Sequence, residues 1–249
     1  MSLFGNVDTQ GMVEQEDRLG GGFSTYETDV YPATIKMAYV SASKGGAQFV
    51  SFEFDLGEGR TYKEDIYVTN SKGQAYFVKD GKNIPLPGFT HVNNICIMAT
   101  EKGMVEQAHD LKMVQIWDFE SSKMIPREMP VLVDLIGQQI LLAIQQVREN
   151  KQEKTGEKWP DGRDKYAPVN EERIINNIVA VFHSEYFVTV LEAQNEKEPE
   201  FMDKWLEKNK GVTYDKYKEV KAKAGVARTS GTASSADAPA RKSMFAKKG

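Results

Sequence analysis

From Val30 to Phe89 apolar and polar residues alternate, many of the apolar ones aromatic, and the alternation breaks at short clusters of Gly, Asn, Asp and Ser. The segments VYPATIKMAYVSAS, KGGAQFVSFEFDLGEGR and TYKEDIYVTNSKGQAYFVKDGKNIPLPGF predict consecutive antiparallel strands, because a period of two bounded by turn residues belongs to a half-buried sheet and not to a helix. HVNNICIMATEKG leans towards a short helix, with Val92, Ile95, Ile97 and Met98 apolar, although its pattern is ambiguous. LKMVQIWDFES alternates again and reads as a fourth strand. MPVLVDLIGQQILLAIQQVREN is the most apolar stretch, expected to hold a short helical turn up to Ile136 and Gly137 and then a strand or helix from Gln138 to Val147.

The later chain divides by composition. Residues 150–170 (NKQEKTGEKWPDGRDKYAPVN) look like a loop, a long hairpin tip inserted between two strands, and IINNIVAVFHSEYFVTVLEA should return to the core. Residues 198–223 read as helical, split near Gly211. The Ala/Ser/Thr/Gly-rich stretch GVARTSGTASSADAPA has too few large apolar residues to pack and is expected to be a disordered linker, ending in RKSMFAKKG. The expected organisation is a lead-in over 1–22, a core domain over 23–197, a helical extension over 198–225 and a basic tail over 226–249. About five short strands with a helix partway through predict a mainly β fold with α additions, an antiparallel barrel of the oligonucleotide-binding (OB) type.

Composition narrows the classes. No apolar run approaches the roughly 20 residues that a membrane helix needs, and the first residues have neither a basic leader nor an apolar signal core, which predicts a cytosolic protein and no membrane partner. The lone cysteine, Cys96, excludes an internal disulfide and sits in an apolar run, so it is expected to be buried and inert. The net charge of −4 is unevenly spread: residues 210–249 hold ten Lys or Arg against three Asp or Glu, so the body is more acidic than the total. An acidic body argues against polyanion binding by bulk charge, but not against a local cationic groove.

Aromatics beside cations on a twisted sheet suit a sequence-tolerant single-strand binder, in which bases stack on rings and cations follow the phosphates. Tyr62, Tyr67, Tyr76, Phe77 and Trp117 are candidate stackers. In TYKEDIYVT, Ile66 and Val68 share a face with Tyr62 and Glu64, leaving Lys63, Asp65 and Tyr67 together on the other, outer face. Phe52 and Phe54 are expected in the core. The turns Ser43-Lys44-Gly45-Gly46 and Asn70-Ser71-Lys72-Gly73 offer close backbone approach and a mobile lysine, which serves a phosphate contact or simply a hairpin turn. Lys44, Lys63, Lys72 and Lys82 are the candidate phosphate contacts.

Catalytic readings are thin. His91, His109 and His183 are scattered without metal-ligand spacing, and Asp55, Glu64 and Asp65 near Lys63 form a weak nuclease-like constellation. No enzyme activity, metal or cofactor is expected. In the tail, Met244 and Phe245 between Arg241, Lys242, Lys247 and Lys248 read as a short docking peptide or a harmless terminus.

The strings YPATIKMAYVS, SKGGA, YKEDIYVTNSKG, LPGF, VLVDLIGQQILLAIQ and WLEKNKG occur in that order between residues 20 and 225. They resemble the single-stranded DNA-binding proteins of tailed, N4-like podoviruses. The resemblance implies an OB-type fold, binding of displaced single strands, roles in replication and recombination, and the host cytoplasm as location. One departure stands out. Many replication single-strand binders end in an acidic, Phe-containing tail, whereas this chain ends in RKSMFAKKG. A basic end suits an acidic surface on a polymerase or another replication, recombination or transcription component, or else an auxiliary DNA contact.

Overall fold

The computed structural model describes residues 25–118, 121–160 and 162–220. In chain order the strands begin with β1 (Asp29–Ala42), β2 (Gln48–Asp55), β3 (Thr61–Tyr67), β4 (Tyr76–Lys79) and β5 (Lys82–Pro85). Helix α1 (Pro87–Thr100) follows, then β6 (His109–Asp118), β7 (Lys123–Leu132), β8 (Gln139–Lys158) and β9 (Asp164–His183). The described chain closes with α2 (Val190–Gln194), α3 (Phe201–Asn209) and β10 (Tyr214–Asp215). The protein is mainly β. No helix among the described residues is long and apolar enough to cross a membrane.

β1 organises the main sheet. Its second half pairs antiparallel with β2, which pairs with β3, while its first half pairs on the other edge with β8. β8 carries β9 along its far side. Alternation decides which face is buried: Val50, Phe52 and Phe54 of β2, Tyr62 and Ile66 of β3, and Ile140, Leu142 and Ile144 of β8 turn inward. Val92, Ile95 and Cys96 place one stripe of α1 on that core at helical spacing. Burying each large side chain contributes about 1.5–3 kcal/mol. Burial also pushes the Cys96 thiol up to about 12, which keeps it protonated and unreactive at neutral pH.

Among the described residues no backbone ladder joins β3 to β9. Side chains bridge them instead: the Tyr62 hydroxyl donates to Glu64 Oε2 (2.7 Å) and reaches the Asn176 carbonyl (3.1 Å), and Glu64 Oε2 also accepts the Ile178 N–H (3.0 Å). Burial pushes the Glu64 carboxyl above its ordinary value, against the opposing pull of these two hydrogen bonds.

The β6–β7 hairpin branches off, touching β1 at the Tyr39–Val131 pair. Its inner face, with Val114, Met129 and Val131, packs with Met37 and Tyr39 into a second, smaller core.

Two stretches depart from expectation. Residues 150–170 are not simply a loop: β8 runs through them as far as Lys158 and β9 from Asp164 onwards, as paired arms. Opposite charges laddered across the strands hold the arms, in the pairs Lys151–Glu171 (2.8 Å), Lys154–Asp164 (2.7 Å) and Lys165–Glu157 (3.0 Å), so a loop-like composition became sheet through cross-strand pairing. Residues 212–220 are not helical. Gly211, at φ +72°, ends the turn after α3, and Tyr214 and Asp215 then pair parallel with Val147 and Arg148 of β8. Arg148 fastens this strand, bridging Asp215 at 3.1 Å and stacking on the Tyr217 ring at 4.9 Å.

Candidate nucleic-acid interface

The outer face of β2 and β3 follows from the same alternation. Opposite Phe49 lies Tyr67, opposite Ser51 lies Asp65, and opposite Glu53 lies Lys63. Tyr67 is 50% exposed and its ring sits 5.2 Å from that of Phe49, a two-ring apolar platform at the end of the strands. Lys63 shares this face, as the alternation requires, but its ammonium is 2.7 Å from Glu53. Lys36 likewise leans on Asp55 at 3.6 Å. The sheet face thus supplies rings, while its cations are largely neutralised in place.

Tyr62 corrects the expectation that it stacks on bases. It is 6% exposed, its ring lies among Tyr26 and Phe54, and its hydroxyl is committed to Glu64 and Asn176. It shares the inward parity of Ile66, and that parity was decisive.

Two cations that pair with no acid among the described residues lie on turns at the end of this face. Lys44 and Lys72 form no ion pair among the described residues, and their two turns touch: a methyl group on Gly46 would lie 3.4 Å from the Ser71 carbonyl oxygen. Asn70 builds the second turn, its Oδ1 accepting the N–H groups of Lys72 and Gln74. The tip of the β8–β9 hairpin folds over the first turn, so that a methyl at Gly45 would meet the Arg163 guanidinium at 2.5 Å. Ser43, Lys44, Lys158, Arg163, Asp164 and Tyr166 line a cleft of about 550 Å³ between these loops. Tyr166 and Trp159 at the tip are both more than half exposed, and Lys165 lies 5.2 Å from the Trp159 ring centre.

Trp159, Arg163 and Tyr166 are functional candidates that sequence reasoning missed. Their signal was present in KWPDGRDKY, two rings and three cations around a Pro-Asp-Gly turn. Reading that stretch as a loop-like hairpin tip did not reveal that the tip returns to the Lys44 turn.

Tyr76 and Lys82 fall on a separate hairpin, β4–β5, and on opposite faces of it. Tyr76 is half-buried opposite Pro85, whereas Lys82 shares a face with Phe77, Lys79 and Ile84. Phe77, with two lysines beside it, has the better placement for stacking. Trp117 is exposed, but it lies on the side of β6 opposite Val114 and Ile116, which pack towards β1. Its ring therefore faces away from the sheet that carries Tyr67. Asp55, Glu64 and Asp65 do not converge, since Glu64 turns inward to Ile178 and Asp65 outward. Arg241, Lys242, Met244, Phe245, Lys247 and Lys248, with the expected lead-in and linker, lie outside the described residues.

No protein-family model matches this chain, and no curated protein matches it.

Proposed function

We propose that this chain binds single-stranded DNA with little sequence preference, across the Phe49–Tyr67 platform and the cleft between the Lys44 turn and the β8–β9 tip. One observation carries the reading: a ring pair on the outer sheet face lies on the strands that lead into turns bearing Lys44 and Lys72, with Lys158, Arg163, Trp159 and Tyr166 brought over from a distant hairpin. Rings for bases and cations for phosphates are the two requirements of sequence-tolerant single-strand binding.

The strand connections support an OB-type reading. β1–β2–β3, then α1, then β8 on the free edge of β1 and β9 beyond it, follow the five-strand Greek-key order, with β6–β7 as an insertion between helix and fourth strand. In that reading the Tyr62–Glu64 bridge lies where the barrel closes, and the loop cluster corresponds to the two loops that OB folds use on oligonucleotides. Roles in phage replication and recombination follow from the podovirus resemblance, whereas a recruiting role for the basic tail rests on Met244 and Phe245 standing between Arg241, Lys242, Lys247 and Lys248.

A fluorescence titration with oligo-dT tests the function. Affinity should fall with salt, with a slope of about −0.7 in log K per phosphate neutralised. Absence of binding, or tight binding indifferent to salt, would contradict the proposal.

A further inference from the structure

We propose that two copies of this chain pair edge to edge through β6, in an antiparallel register centred on Gln115. The outer face of the β6–β7 hairpin brings Leu111, Met113, Trp117 and Met124 together, with Pro126 and Pro130 between them. Leu111 is 63% and Met113 65% exposed, and among the described residues Glu128 is the only acid or base on that face besides His109. Isolated exposed apolar residues need no explanation, whereas a contiguous stripe of this kind marks a contact surface.

The backbone narrows what covers it. Among the described residues β6 pairs with β7 alone, so its other side is an open edge of ten residues. Proline survives in a ladder only where its missing N–H points away from the partner strand. Pro126 and Pro130 lie opposite Gln115 and Leu111, so these positions do not exchange hydrogen bonds with β7. The N–H and C=O groups of Leu111, Met113, Gln115 and Trp117 therefore point outward, ready to pair. The prolines deny β7 the same use of its far side, and β6 has none.

Charge then selects the occupant and the register. Three antiparallel self-pairings engage at least three of these four outward residues, centred on residue 113, 114 or 115. Centring on 114 sets Asp110 against Asp118 of the second copy, and centring on 113 sets Lys112 against Val114. Centring on 115 sets Lys112 against Asp118, Met113 against Trp117 and Val114 against Ile116, with Gln115 against itself. A strand that matches its own sequence in charge and hydrophobicity fits a two-fold contact. One strand and one hairpin face make a small interface, below the roughly 1,200 Å² of stable complexes, so the pairing is transient and concentration-dependent.

Cysteine trapping and sedimentation of the full chain test the proposal. Cys96 is buried, so Gln115→Cys introduces a single accessible thiol. Hydrogen-bonded antiparallel partners sit about 5.5 Å apart at Cα, within disulfide range. Gln115→Cys should oxidise to a covalent dimer at least tenfold faster than Ser71→Cys on the exposed turn. The weight-average mass of the unmodified chain should climb towards twice the chain mass as concentration rises to hundreds of micromolar. Gln115→Pro removes an outward N–H while leaving the β7 ladder intact, and should abolish that rise with an unchanged circular dichroism spectrum. A mass fixed at one chain, with Gln115→Cys no faster than Ser71→Cys, would overturn the proposal. So would a rise in mass that persists undiminished in a folded Gln115→Pro.

Discussion

At the residue scale, parity along a strand separates an exposed ring from a supporting one. Tyr62 and Tyr67 stand five residues apart on β3 and therefore on opposite faces. One closes the gap to β9 and the other faces solvent beside Phe49. Tyr67→Ala should weaken oligo-dT binding by about 1–3 kcal/mol, roughly 5- to 150-fold in Kd, as expected for one lost stacking platform. Trp159→Ala should do the same, with thermal unfolding close to that of the unmodified protein for both variants. Fluorescence titration beside a melting curve checks this, and unchanged affinity in both variants would remove stacking from the mechanism. The Tyr62 and Tyr67 placements were legible in TYKEDIYVT. Trp159 was not, because nothing local relates a hairpin tip to a turn more than a hundred residues earlier.

At the element scale, α1 and β3 show how closely packing fixes a backbone. The sequence places LPGF at the end of the strand block, whereas α1 starts inside it, with Pro87 at the first helical position. The sequence does not reveal why a glycine follows. A methyl on Gly88 would sit 2.0 Å from the Tyr67 carbonyl oxygen, so the first turn of α1 lies directly on the end of β3. Gly88→Ala must push helix and strand apart at the residue that displays the Tyr67 ring. We expect a loss of stability of about 1–3 kcal/mol, the usual range for overpacking, read as a lower denaturant midpoint, together with weaker DNA binding. Full stability in Gly88→Ala would show that the helix can shift freely. The 150–170 arms make the complementary point. Their residues favour turns and solvent, and only the pairing of Lys154 with Asp164 and its neighbours across the two strands makes them sheet.

At the scale of the whole molecule, two carboxylates tie distant parts together and respond to acid in opposite senses. Glu64 joins β3 to β9, and its carboxyl is held above the ordinary value of 4.5, chiefly by burial. The folded state therefore binds the Glu64 proton more readily than the unfolded chain, so this group adds stability as pH falls from neutral towards 4.5. Glu192 joins α2 to the start of α3. Burial pushes its carboxyl up, but hydrogen bonds from Thr189, Phe201 and Glu200 outweigh that and hold it below 4.5. Its contribution is present above 4.5 and is lost as pH falls through its folded value. Denaturant unfolding across pH 3 to 7 should show Glu64→Gln flattening the rise between neutral and mild acid, and Glu192→Gln removing the fall at stronger acid. Profiles that leave both limbs unchanged would disprove these assignments. By itself the sequence determined the strands from Val30 to Tyr67, the inward Phe52 and Phe54, the buried Cys96 and the outward Tyr67, because periodicity and hydrophobicity act over a few neighbouring residues. Only the tertiary structure decided that the Lys44, Lys72 and Arg163 loops meet, that residues 212–220 add an edge strand instead of a helix, and that Trp117 faces away from the sheet. Those outcomes depend on strand pairings between residues far apart in the chain, and no local pattern encodes which strands will pair.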